Sequence, residues 1–268
     1  MGPQQPQQPP RQPISGIDYI IAVGSGKGGV GKTTVSVNLA LALSAIGNKV
    51  GLLDADVYGP NVPTMLGISE PPQSGPNNTI LPLQAHGLKV MSMGFLSPGD
   101  KPLIWRGPML HSVIQQFLRS VVWGDLDYLI IDLPPGTGDV QLSLLQTTPL
   151  TGGIVVTTPS EVSLEDARKA VGMFQQLRAE VLGIVENMSG SVFGSGGGRK
   201  TAEQMGVHFL GELGLEAEVR VGGDTGRPVT LFGESHTQAA PFFELARAVA
   251  RRAEEVSDRK GPTVVVTD

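Results

Sequence analysis

The stretch Gly26-Lys27-Gly28-Gly29-Val30-Gly31-Lys32-Thr33 fits the pattern G-x-x-x-x-G-K-[ST], a loop that wraps phosphate. It follows an apolar run, Tyr19-Ile20-Ile21-Ala22-Val23, and precedes a helical one, Thr34 to Ile46. Strand, loop and helix in that order are the context such a loop requires. The glycines let the backbone curl with its N–H groups inward, at the N-terminus of the helix, where phosphate oxygens are favoured. In this geometry Lys32 reaches the β- and γ-phosphates of a nucleotide, and Thr33 offers its hydroxyl to Mg²⁺. Residues 26–34, Thr34 included, form the candidate nucleotide-binding segment.

Hydrolysis also needs carboxylates at neighbouring strand ends. The run Val50-Gly51-Leu52-Leu53 reads as a buried strand and ends in Asp54-Ala55-Asp56. If the extension persists, Asp54 and Asp56 point the same way. Two like charges together call for a cation, so Asp54 is assigned to the metal shell; a pair of surface turn aspartates is the alternative. A second run, Tyr128-Leu129-Ile130-Ile131, ends in Asp132, the Walker B pattern and a further metal candidate. The segment Leu133-Pro134-Pro135-Gly136-Thr137-Gly138-Asp139 follows, and its Pro and Gly content excludes regular structure. Its position suits a switch that senses the γ-phosphate.

The base is read at Asn187, two residues past the end of the apolar run Val181-Leu182-Gly183-Ile184-Val185. An amide both donates and accepts, as adenine recognition requires; a turn residue is the alternative. The guanine-reading pattern N/T-K-x-D is missing: Asn48-Lys49-Val50-Gly51 lacks its aspartate. ATP is therefore expected rather than GTP.

The early lysine, Lys27, gives the loop a close likeness. Gly-Lys-Gly-Gly-Val-Gly-Lys-Thr-Thr resembles the deviant Walker A loop of the MinD/ParA/nitrogenase iron protein class. The resemblance implies a homodimer with two ATP molecules between subunits, Lys27 crossing to the partner's phosphates, and Asp56 orienting or deprotonating the water. Lys27 and Lys32 then neutralise charge on the γ-phosphate. Without a partner, Lys27 is a solvated loop lysine. Asp54-Ala55-Asp56-Val57-Tyr58-Gly59-Pro60-Asn61, Trp105-Arg106-Gly107-Pro108-Met109, the segment 132–139, Val185-Glu186-Asn187-Met188-Ser189 and Gly223-Asp224-Thr225-Gly226-Arg227-Pro228 are similar to the Mrp/ApbC family over roughly residues 18–250. The resemblance implies an Mg-dependent ATPase that carries or delivers iron–sulfur clusters, with cluster scaffolds or apoproteins as clients.

The chain departs from that family at one place. Members usually carry a C-x-x-C pair shortly after the Glu-Asn-Met segment, two pairs holding a bridging cluster. Here Ser189 to Gly198 contains no cysteine, and neither does the rest of the chain. Clusters are held by thiolates, and the scattered His86, His111, His208 and His236 are no substitute. Direct ligation by this chain alone is not expected. A ParA/MinD-like ATP-switched positioning or scaffold protein is the alternative function, and a nucleotide-sensing subunit whose partner supplies thiolates is a third.

Composition agrees with one α/β domain over residues 17–257, a doubly wound, mostly parallel sheet with room for a small insertion. Strands are expected at 19–23, 50–53, 88–93, 128–131, 153–157, 181–186 and 208–212, and helices at 33–46, 108–122, 139–147, 164–178, 199–205 and 238–256. Ser163-Leu164-Glu165-Asp166 reads as a capping box, and Pro71 to Asn78 as a mobile loop. The Gln/Pro-rich start, 1–16, reads as a disordered tail, and 258–268 as a second tail. A formal charge of −5 gives no footprint for nucleic acid. No apolar stretch spans a bilayer, and the cytoplasm is the expected compartment. In Gln238 to Val256, the stripe Phe242, Leu245, Val249, Ala253 reads as a face packed on the sheet rather than a membrane helix, since acids mix with the arginines.

Overall fold

The computed structural model describes residues 13–96 and 107–260. Trp105 and Arg106 lie outside them, as do residues 1–12 and 261–268. The chain runs β1 (Ile17–Gly24), α1 (Lys32–Ala45), β2 (Val50–Asp54), α2 (Val62–Leu66), β3 (Gln73–Ser74), β4 (Ile80–Leu81), β5 (Leu83–Ala85), β6 (Leu88–Ser92) and α3 (Gly107–Ser120). It continues through β7 (Leu126–Asp132), α4 (Asp139–Thr147), β8 (Gly152–Thr157), α5 (Glu161–Gln176), β9 (Val181–Ser189), α6 (Gly197–Met205), β10 (Phe209–Gly214), α7 (Ala217–Asp224) and α8 (Ala240–Lys260).

Eight strands form one sheet in the order β10-β9-β8-β1-β7-β2-β6-β5. All neighbours are parallel except the edge pair β5–β6, which is antiparallel. The central strands are apolar on both faces because helices cover both. Ile21 and Val23 of β1 join the core under α1 and α8, while Ile20 and Ala22 join the core under α3, α4 and α5. Helix α1 is buried on almost every side, between the sheet and α8, so its sequence carries no polar stripe. In α8, Phe242, Leu245, Val249 and Ala253 are buried, each large apolar side chain contributing roughly 1.5–3 kcal/mol. No helix among the described residues is long and apolar enough to cross a membrane.

The structure differs from the sequence reading in four places. Helix α5 begins at Glu161 with Ser160 as its N-cap residue. Ser163 sits inside the helix, buried, bonding the hydroxyls of Thr158 (2.6 Å) and Ser160 (2.8 Å) rather than capping. The stretch 71–78 carries regular structure: its β3 pairs antiparallel with β4 across a turn in which Asn77 and Asn78 are left-handed, a conformation Asn tolerates. Short α2 and α7 and the edge strand β5 lack a long periodic pattern, and the sequence signal for each is weak. At the ends, Ile14 packs against the core and α8 continues to Lys260, beyond the boundaries drawn at 17 and 257.

Candidate functional site

The C-terminal ends of β1, β7 and β2 lie side by side. Val23 is in register with Asp132, and Asp132 with Asp54. Ligands of open α/β sheets bind outside this edge. The phosphate loop leaves β1 here and enters α1 through Gly31, which is left-handed at φ 77°. A side chain at Gly31 would be strained and would run into the Asn187 amide. No acidic residue sits in the first turn of α1, so its free N–H groups and positive dipole end face an open cleft. That cleft holds about 590 Å³. Of the sequence-predicted set, Lys27 to Thr34 and Asp56 line it, joined by Ser25, which was not predicted; Gly26 and Asp132 lie beside it rather than on its wall.

The charges are already arranged in pairs. Lys32 Nζ lies 2.8 Å from Asp132 Oδ1 and 3.8 Å from Asp56 Oδ2. Thr33 Oγ1 donates to Asp132 Oδ2 at 2.7 Å, and Ser36 Oγ donates to Asp132 Oδ1 at 2.6 Å. Asp132 is fully buried, so it is held by a cation and two hydroxyls rather than by water. A hydroxyl beside a carboxylate is a hard-oxygen donor set of the kind that fits Mg²⁺. Ser36 was not foreseen; its position one helical turn after Lys32 puts it on the same face.

Asp56 uses one oxygen for its own turn: Oδ1 accepts from Tyr58 N (3.0 Å) and Gly59 N (3.3 Å). Oδ2 is left toward Lys32 and the cleft. Asp54 does not share this role. Its oxygens accept from Asp56 N (3.1 Å), Val62 N (3.3 Å) and Ser92 Oγ (2.8 Å). It ties the segment after β2 to the strand end and lies behind the cleft rather than on it. Burial, then the charge of Asp132, pushes the Asp54 carboxyl up to about 8. A folded-state value above the unfolded 3.8 means that the folded protein binds this proton more tightly. The stabilisation is complete below the unfolded value and is lost as pH rises toward 8. Thermal unfolding of the nucleotide-free protein is therefore expected at falling temperature from pH 5 to 8, and Asp54→Asn should flatten that fall.

Asn187 also sits behind the loop. Its Nδ2 donates to Val30 O at 2.9 Å, bracing the phosphate loop from β9, and it is absent from the cleft lining. Asn187→Ala should weaken ATP, ADP and GTP binding by one common factor of about tenfold, the worth of one such bond. A selective loss of ATP over GTP would instead mark adenine recognition. The neighbouring Glu186, fully buried, accepts from Ser189 Oγ (2.9 Å), Gly196 N (2.7 Å) and Gly198 N. It caps α6 and closes the cysteine-free loop, in which Gly190 and Gly194 exchange backbone bonds. The signal for Glu186 was a carboxylate directly after the apolar run 181–185.

Lys27 stands at the mouth of the cleft, half-buried, its carbonyl accepting from Ser25 Oγ at 2.8 Å. It enters no ion pair among the described residues. Residues 133–138 are irregular, and Asp139 opens α4. Gly136 N bonds Ser25 O at 3.0 Å, joining this segment to the loop. The far wall comes from α2 and α7: Asn61, Thr64, Met65, Val219, Arg220, Gly223 and Asp224. None of these was assigned to the site from sequence: Asn61, Gly223 and Asp224 lie in family-like motifs with no chemistry assigned to them, and the other four carry no local signal of a ligand.

Known proteins resemble this chain over most of its length. A family model described as ParA, NUBPL iron-transfer P-loop NTPase, matches residues 16–250. An iron–sulfur cluster carrier protein of Synechocystis is 50% identical, covering 92% of this chain and 74% of its own. An iron–sulfur cluster transfer protein NUBPL of Dictyostelium discoideum is 42% identical, covering 99% and 87%. Among solved structures, a nucleotide-binding protein of Archaeoglobus fulgidus in complex with ADP is 35% identical, with a TM-score of 0.74 over 86% of this chain and 93% of that one. The Pyrococcus furiosus cell division ATPase MinD, 24% identical with a TM-score of 0.70 over 87% and 98%, shares the fold. The chain belongs to the family of NUBPL-type iron-transfer P-loop NTPases, the group to which its Mrp/ApbC-like motifs pointed.

Proposed function

We propose that this chain is a homodimeric, Mg-dependent ATPase whose nucleotide state governs the handling of an iron–sulfur cluster. The observation that carries the proposal is one cleft lined by Lys32, Thr33 and Asp56, with Asp132 bonded beneath Lys32 and Thr33, and at its mouth Lys27, which forms no ion pair among the described residues. Phosphates seat on the α1 N-terminus, and Lys32 exchanges Asp132 for the β- and γ-oxygens. Thr33 and Asp132 would hold Mg²⁺, which would supply charge neutralisation. Asp56 aligns the attacking water, and Lys27 of a second copy reaches the γ-phosphate. Lys27→Ala is expected to keep ADP binding and lose hydrolysis about 10³-fold, as removal of a cationic finger does.

The cluster is cargo, and the chain's own means of holding it is the open part of the proposal. With no cysteine in the sequence, thiolates come from a client or scaffold, and the cytoplasm supplies both partners and ATP. The test is anaerobic reconstitution with iron and sulfide, with and without an added thiol-bearing scaffold, measuring bound iron beside ATPase rate. ATP-dependent exchange of iron with the scaffold supports the proposal. ATPase activity with no effect on iron in either protein overturns cluster handling. That result favours the second reading, an ATP-switched scaffold of the ParA/MinD style, which the missing cysteines support.

A further inference from the structure

The segment Gly223-Asp224-Thr225-Gly226-Arg227-Pro228 enters no step above, yet its glycines are where two backbones touch. Gly226 is left-handed at φ 69°, and a Cβ there would meet Gly67 Cα at 2.7 Å and Gly67 N at 2.8 Å. Gly67 is itself the left-handed cap of α2, at φ 68°. One turn earlier, a Cβ on Gly223 would meet Met65 Cε at 3.1 Å. Arg227 N bonds Gly222 O at 2.8 Å, which folds the element back on α7.

The segment thus seated begins at the cleft. Asp56 holds Tyr58 and Gly59, Val62 N bonds Asp54 Oδ2, and Ile68 N bonds Pro63 O to close α2. Residues 56–67 are pinned by Asp54 at the start and by Gly226 at the end. A contact of backbone on backbone has no side chain to yield, so a shift of α7 passes to α2 undamped. We propose that the Gly223–Gly226 element is the seat that positions the Asp56 segment for hydrolysis, with Gly226 and Gly223 as positioning residues. This deepens the function proposed above and rests on Asp56 as the group that aligns water.

The test is steady-state ATPase beside affinity for a fluorescent ADP analogue, in four variants. Gly226→Ala introduces both the strained φ and the clash. It is expected to lower kcat about 100-fold, the cost of an ångström's misplacement, while ADP affinity, held by the phosphate loop, stays as in the parent. Gly223→Ala is compatible with its helix and presses only on a flexible methyl, so it folds even if Gly226→Ala does not. Its kcat should fall about tenfold and recover in Gly223→Ala/Met65→Leu, which removes the Cε being pressed. Parent-like kcat in folded Gly226→Ala and Gly223→Ala, with Asp56→Ala inactive, overturns the seat and leaves the role of Asp56 standing. An equal fall in kcat and affinity also overturns it, because the element would then be only a wall of the nucleotide site. Undiminished hydrolysis in Asp56→Ala overturns the reading beneath both.

Discussion

Lys32→Ala should weaken ATP binding by at least about 100-fold, since charge-assisted bonds to the β- and γ-phosphates are lost together. It should also destabilise the nucleotide-free protein. Lys32 Nζ is the cation at 2.8 Å from a carboxylate that is fully buried. Removing one partner of a buried pair costs about 3–5 kcal/mol, because the remaining charge is left uncompensated. Thr33 and Ser36 still donate to Asp132, and the open cleft admits water, which places the loss toward the lower end. Unfolding should then occur roughly 6–12 °C lower, at about 2–4 °C per kcal/mol for a chain of this size. Lys32→Ala/Asp132→Asn removes the orphaned charge, so it should recover most of the stability and none of the binding. Calorimetry with isothermal titration separates the two effects. A parent-like unfolding temperature for Lys32→Ala would show that Asp132 is already neutralised by other means.

Asp56→Ala should leave ADP binding intact and lower hydrolysis by about 10²–10⁴-fold, the worth of a positioned general base. The geometry offers a sharper variant. Asp56 Oδ1 serves the backbone of Tyr58 and Gly59, while Oδ2 faces Lys32 and the cleft. Asp56→Asn keeps an acceptor for the turn and removes the charge. If water activation is its role, both variants are equally slow. If Asn hydrolyses like the parent and Ala does not, Asp56 acts only by shaping the turn, and the base must be sought elsewhere. Single-turnover measurement of phosphate release, with the fluorescent ADP affinity as control, decides between them.

Much of this was legible in the chain itself, for a local reason. The phosphate loop is eight consecutive residues running from a strand into a helix, and both carboxylate-ended strands close on apolar runs, 50–53 and 128–131. Patterns of that kind depend on residues adjacent in sequence, so the doubly wound sheet and the nucleotide cleft could be read from them. The stripe in α8 was assigned to packing because glutamates interrupt its basic face, and its four apolar residues are buried in the core.

The roles within the set were less legible. Asp54 and Asp56 are two residues apart and chemically identical, and alternation suggested a shared task. Strand β2 ends at Asp54, so the alternation stops there: one carboxylate is buried as a tether and the other opens to the cleft. Asn187 offered an amide suited to a base, but the amide meets Val30 O, a residue 157 positions earlier. The Ser163 motif had the spacing of a cap, but the strand before it delivers the chain to the helix three residues sooner, at Ser160.

The sequence by itself determined the residues of the site: a phosphate loop, its lysines, the threonine hydroxyl beside them and the carboxylates at strand ends. These follow from residue type and short-range spacing, which the backbone converts directly into loop, strand and helix. Only the tertiary structure decided the partners. It placed Asp132 under Lys32 and Thr33, about a hundred residues away in the chain, and laid Gly226 on Gly67 to bring α2 and α7 together as the far wall of the cleft. Those contacts are set by strand order and by how two helices pack. Neither is encoded in any one stretch of the chain; both arise when separated apolar surfaces must be buried together.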